Sequence, residues 1–193
     1  VSRPYRILVT GSRDWDDGDL IAYQLGLAAG EGARQGRRVT VVHGACPTGA
    51  DAIADRLARD HGFTVERHPA GWRGGKAAGL ARNTEMVAAG ADVCLAFLAP
   101  CRKHASRPPH DSHGAADCAG KAEQAGIPVR RFRPSAKPSP HQLWEQAKGD
   151  PEAYRGLMRE HGHLLAPGDE GYEEGSRTLP CGWPDRGAAE NGP

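Results

Sequence analysis

Residues 39–51 read V-T-V-V-H-G-A-C-P-T-G-A-D. The first four are β-branched, which suits a pleated strand. The run breaks at Gly44, crosses a short loop and enters a segment, residues 49–61, with Ile53, Ala54 and Leu57 on one apolar stripe. Thr48 is the expected N-cap, and Asp51, three positions on, would complete a capping box. Gly62 is the expected left-handed cap that ends the helix. A strand feeding a glycine loop and then a helix is the unit of a parallel sheet.

The same unit recurs on either side. Residues 6–10, R-I-L-V-T, form a buried first strand that leaves through Gly11, Ser12 and Arg13. Residues 17–36 follow as a helix, with Leu20, Ile21, Leu25 and Leu27 expected on its buried side. Residues 63–68 are a third strand. Residues 76–89 are a helix ended by Gly90. Residues 92–98, D-V-C-L-A-F-L, are apolar enough for a strand buried on both faces. Residues 112–125 are a helix ended by Gly126, and residues 127–132 a fifth strand. The expectation is an α/β fold, a doubly wound parallel sheet of about five strands with helices on both faces.

This domain is expected to span residues 1–133. The run R-P-S-A-K-P-S-P then reads as a linker. Leu143, Trp144, Tyr154, Leu157 and Met158 fit one or two short helices within residues 141–161. The Gly-, Glu- and Pro-rich remainder reads as disordered. Residues 100–111 are long, basic and Pro-containing, and read as a mobile lid.

The 193 residues carry a net charge of only +1, with 26 Gly and 15 Pro. Near-neutrality argues against a dedicated nucleic-acid binder or a polybasic membrane protein. Residues 1–133 hold 19 Lys and Arg against 14 Asp and Glu, whereas residues 134–193 hold 6 against 10. The basic part suits an anionic ligand. Five Cys without a C-x-x-C read as reduced thiols of a cytoplasmic protein. No apolar run marks a signal peptide or a spanning helix.

In open parallel sheets ligands bind at the carboxyl ends of the strands, where these glycine loops fall. The loop at Thr10 to Trp15 lacks G-x-G-x-x-G, but Gly11 and Ser12 open a helix start whose N–H groups suit phosphate, with Arg13 to pair with it. The loop at Gly44, Ala45, Thr48 and Gly49 matches G-x-x-x-x-G without the following Lys, which excludes a triphosphatase reading. Asp51 could take a ribose hydroxyl or serve the helix start. Trp72 could stack on a ring or close the core. Arg82 and Asn83 could grip a polar group. Ser112, Gly114 and Ala115 open a further helix start, an anion site. Asp117 could stabilise an oxocarbenium-like centre or serve as a first-turn acid. Cys101, His104, His110, His113 and Cys118 crowd the lid, but C-x2-H-x5-H-x2-H fits no common zinc site, and no metal or other cofactor is assigned.

Taken together, R-I-L-V-T-G-S-R-D-W, V-V-H-G-A-C-P-T-G-A-D, H-P-A-G-W with G-K-A-A-G-L-A-R-N-T-E-M, A-D-V-C-L-A-F and S-H-G-A-A-D-C resemble the YspA/YpsA-related branch of the SLOG superfamily. The resemblance covers residues 5–132. It implies a Rossmann-like sheet that binds a nucleotide or nucleotide-derived ligand, and a homodimer built through sheet-flanking helices. The superfamily includes the LOG phosphoribohydrolases, which release a base from a nucleoside monophosphate. Arg82 with Met86 resembles their arginine helix, and residues 112–118 their glycine loop. Ala115 stands at the Thr position and Cys118 at the catalytic Glu, with Asp117 one residue early, a rotation of about 100° on a helix. The leading expectation is therefore a ligand-binding protein, with a sensor role. Its rivals are an N-glycosidic hydrolase using Arg82 and Asp117, and, less favoured, a single-stranded DNA binder.

Overall fold

The computed structural model describes residues 3–71, 77–101, 110–134 and 140–160. The chain divides into two units, Val1–Pro134 and Ser135–Pro193. In the first unit the elements run β1 (Tyr5–Gly11), α1 (Gly18–Arg34), β2 (Val39–His43), α2 (Gly49–Asp60), β3 (Thr64–Arg67), α3 (Ala77–Ala88), β4 (Val93–Phe97), α4 (His113–Gln124) and β5 (Val129–Phe132). The strands pair in the order β3-β2-β1-β4-β5, and every pairing is parallel. The expected α/β class and five-stranded parallel sheet are present.

The strand pleat sorts side chains between two layers. Ile7, Val9, Val41, Leu95 and Phe97 pack on one face with Ile21, Leu25 and the alanines of α2. Leu8, Val42 and Cys94 pack on the other with Met86 and Val87 of α3 and Cys118 and Ala122 of α4. Helices thus cover both faces, as a doubly wound sheet requires.

The buried stripes differ in detail from those expected. Leu27 is 45% exposed, whereas Ala28, Ala29 and Gly32 of α1 are buried. A buried row through residues 21, 25, 28, 29 and 32 leaves Leu27 on the opposite side. Gly32 is set against Tyr5, whose Cβ lies 2.8 Å from where a Gly32 side chain would start. On α2, Ala50, Ala54 and Ala58 carry the contact, with Ile53 and Leu57 only partly buried beside them. Small residues bring α1 and α2 close to the sheet, and Trp15 fills the space at the strand ends. It is 3% exposed, meets Phe97 edge-on at 5.3 Å and donates from Nε1 to the Asp17 carbonyl at 2.9 Å.

Helix ends follow the sequence closely. Gly62, Gly90 and Gly126 have φ of 70°, 76° and 76°, the left-handed region that glycine enters without a Cβ penalty. The expected capping box at α2 does not form. Thr48 occupies the N-cap position but its side chain makes no capping bond, and the Asp51 carboxylate, which would complete the box, instead turns back into the preceding loop and accepts from the Cys46 N–H at 3.2 Å.

In the second unit, α5 (Pro140–Gln146) and α6 (Pro151–Glu160) pack through Leu143, Ala147, Tyr154 and Met158, with Trp144 and Leu157 partly buried. Leu143, Trp144, Tyr154, Leu157 and Met158 are the positions expected to carry the short helices, and Ala147 joins them. Among the described residues no helix is long and apolar enough to cross a membrane, and Cys46, Cys94, Cys101 and Cys118 are free thiols. The disorder expected of the tail, and the lid residues 102–109, lie outside the described residues.

Candidate functional site

The carboxyl ends of β1, β2, β3 and β4 bring most of the expected residues to one edge. Two glycines seat the first loop on the second. A Cβ on Gly11 would overlap that of Ala50 and stand 3.0 Å from the Phe97 carbonyl oxygen. Gly49, at φ 70°, lies under the Ser12 carbonyl and 2.7 Å, measured from an added Cβ, from Arg13 Cα. The Ala50 N–H donates to the Ser12 carbonyl at 3.3 Å.

Ser12 sits where the strand order reverses, between β1 and β4. It is 3% exposed, and its Oγ accepts from the Ala99 N–H at 2.8 Å. Its N–H donates to the Phe97 carbonyl at 2.9 Å. The hydroxyl and the N–H of Ser12, the latter expected to help hold phosphate, therefore tie the two central strands together. Arg13 is exposed beside it.

The second loop is built around buried polar side chains. Ala45 adopts φ 54°, unusual for a residue with a Cβ, and its N–H donates to His43 Nδ1 at 3.1 Å. Since Nδ1 accepts, the neutral ring carries its proton on Nε2, which donates to Asp55 Oδ1 at 3.0 Å. Burial pushes the His43 pKa down. Asp55 also receives a two-pronged bond from Arg67, at 2.7 Å for each nitrogen, and an ion pair from Arg59 at 2.9 Å. The Arg67 bonds hold the Asp55 carboxyl well below the usual carboxylate range. Asp51 is 6% exposed, and burial raises its pKa against the pull of the loop N–H groups, His43 and Arg82.

Arg82 reaches into this edge from α3. Its guanidinium donates to the Gly44 carbonyl, to the His68 carbonyl at 3.4 Å and to Asn83 Oδ1 at 3.0 Å. A Cβ on Gly44 would overlap the guanidinium as it now lies, so a larger residue there would require Arg82 to move. The neighbouring Asn83 is 2% exposed and bridges to α4, donating to the Gly114 carbonyl at 3.0 Å and to Asp117 Oδ2 at 2.9 Å.

On α4 the expected residues divide. Ser112 is the N-cap but makes no side-chain capping bond, and Gly114 is exposed. Ala115 is 3% exposed and packs with Ala96, Leu98 and Ala119, facing the sheet. Asp117 Oδ2 is held by Asn83 and by Lys121 Nζ, the latter at 2.9 Å. Cys118 is fully buried, and burial pushes its thiol up to about 11. Thr48 is exposed at the start of α2. Trp72 lies outside the described residues.

The triad His43, Asp55 and Arg67 was not singled out from sequence. The available signal was a His closing an otherwise apolar strand, with two carboxylates four apart on the facing helix. A shallow hollow of about 530 Å³, lined by Ala29, Val39, His61 and Phe63, lies at the other end of the sheet, at the amino ends of β2 and β3.

A family model described as the YspA, cpYpsA-related SLOG family matches residues 5–75, from the start of β1 to beyond the end of β3. The chain is also 46% identical over 133 residues to the Gene 61 protein of Mycobacterium phage D29, covering 66% of this chain and 95% of that relative. No solved structure gives a significant match. The glycine loops that seat against one another at the strand ends lie within the matched span, and this chain belongs to the YspA, cpYpsA-related SLOG family.

Proposed function

We propose that the carboxyl edge of the sheet binds a phosphate-bearing, nucleotide-derived ligand. The observation that carries this reading is Arg82. It is half-buried between the ends of β2 and β3, and its three bonds use three of the five guanidinium donors. A planar donor fork fixed by backbone carbonyls is preorganised for an anion. The amino ends of α2 and α4 open on the same edge and add the partial positive charge of unsatisfied N–H groups.

Binding is favoured over glycosidic hydrolysis. The carboxylate that hydrolysis would use, Asp117, is engaged by Lys121 and Asn83, and the residue that the resemblance sets at the catalytic Glu of the LOG phosphoribohydrolases is the buried thiol of Cys118. A sensor or carrier role fits this arrangement.

Thermal unfolding in the presence of AMP, NAD or ADP-ribose tests the reading. A ligand at 100 times its Kd stabilises by about 2.7 kcal/mol, a Tm increase on the order of 5–10 °C for a domain of this size. Arg82→Lys keeps the charge but loses the fork, and is expected to weaken binding roughly 10- to 100-fold. If none of the three compounds moves Tm, or Arg82→Lys binds as the parent does, the proposed site is wrong. Release of free base from AMP would instead favour the hydrolase.

A further inference from the structure

We propose that Cys101, His110 and His113 form a binding site for one divalent cation of the zinc class. One ligand atom from each residue, a thiol sulfur and two imidazole nitrogens, lies within 4.8 Å of the others. In a tetrahedral zinc site, with Zn–S about 2.3 Å and Zn–N about 2.0–2.1 Å, such atoms stand about 3.4–3.6 Å apart.

The backbone already holds the three residues in place. Pro100 and Asp111 pair as an antiparallel bridge, and the Cys101 N–H donates to the His110 carbonyl at 2.8 Å. Cys101 and His110 therefore stand opposite one another on a closed stem. The Ser112 N–H donates to the Ala99 carbonyl at 3.0 Å, which fixes the start of α4 and with it His113. Asp111, between the two histidines, is turned away into an ion pair with Arg133 at 2.8 Å. The imidazoles lie side by side, with ring centres 4.7 Å apart and planes tilted by 58°.

The donor set selects the ion. One thiolate with two neutral imidazoles suits zinc or its spectroscopic substitute cobalt, and disfavours magnesium and calcium, which take oxygen ligands. Three protein ligands leave one tetrahedral position for water or another small ligand. The linear spacing conceals this set, because proximity comes from the stem and the helix start. The site does not depend on the nucleotide reading.

Cobalt(II) and zinc titration of the full chain, stripped with a chelator and kept reduced, is the test. One equivalent of cobalt should bind with a thiolate-to-cobalt charge-transfer band in the near ultraviolet, displaced by one equivalent of zinc. Cys101→Ser should abolish the band, and Cys46→Ser should leave it intact. His113→Gln, at an exposed position, should weaken zinc by more than the roughly 10- to 100-fold contributed by a supporting outer-shell group. Far-ultraviolet circular dichroism of the stripped variants should match the stripped parent, so that lost binding is not lost folding. Substoichiometric binding, a missing band in the parent, a band that survives Cys101→Ser or one lost in Cys46→Ser would each overturn the site.

Discussion

Gly49→Ala is expected to destabilise the sheet unit by about 2–5 kcal/mol. Two costs add. A residue with a Cβ pays about 1–2 kcal/mol for the left-handed conformation that Gly49 adopts at φ 70°. The new methyl would also overlap the Ser12 carbonyl and press on Arg13, both backbone, so no side chain can swing aside. Gly62 isolates the second cost. It has the same φ of 70°, but nothing lies within 4 Å of an added Cβ. Gly62→Ala should lose only the conformational part. Urea unfolding of both variants measures the difference, and equal losses would show that the first and second loops do not press together as described.

The second large effect is at Asp55. In Asp55→Ala the His43 Nε2–H, on a residue 1% exposed, loses its acceptor inside the protein. Leaving that donor unsatisfied should cost about 2–3 kcal/mol. Arg59 and Arg67, with half-exposed side chains, can turn to water and add little. Asp55→Asn retains an oxygen facing His43 and should lose distinctly less. A loss as large as that of alanine would place the cost in the arginine pairs instead.

The same histidine gives a signed pH dependence. Its folded pKa lies below the ordinary value of about 6.5, so the unfolded chain takes up a proton that the folded chain resists. This contribution is fully present above pH 6.5 and is lost as pH falls through the window down to the folded pKa. Asp51 acts in the opposite sense: its raised folded pKa favours the folded state at low pH and loses that contribution as pH rises through the window above the ordinary carboxylate value. The ¹⁵N shifts assigned to the His43 ring separate the two, because they report on that imidazole and not on the Asp51 carboxyl. The ring should take up its proton below the ordinary imidazole value of about 6.5, and while neutral should carry its hydrogen on Nε2. A ring that protonates above that value, or a neutral ring with its hydrogen on Nδ1, would contradict the Ala45 N–H bond to Nδ1.

The fold was legible where local chemistry and burial agree. Val39 to Val42 are β-branched and fully covered, and Gly62, Gly90 and Gly126 stand where helices must reverse. Leu27 misled because a large apolar residue outweighs Ala28 and Ala29 in a reading by hydropathy, while close packing of α1 on Tyr5 favours the small ones. The site was legible as loops, not as partnerships. Asp51 has the spacing of a capping box, yet the left-handed turn at Gly49 and the N–H of Cys46 draw its carboxylate backward. Ser12 and Asp117 carry the right groups, but those groups bond to Ala99 and to Lys121 and Asn83, contacts 87, 4 and 34 residues distant in sequence. The Asp55–Arg67 pair needs α2 and β3 brought side by side.

The outermost strands constrain how copies of this chain can associate. Both β3 and β5 are four residues long, and their sequences, T-V-E-R and V-R-R-F, place charged side chains along the sheet margins. Glu66 on β3 is clasped by Arg6 at 2.7 Å, and Arg130 on β5 by Glu31 at 2.6 Å. Continuing the sheet into a second molecule would lay a neighbouring strand along these charged margins, with only four residues of ladder gained in return. Short, charged margins of this kind guard against fibre-like stacking.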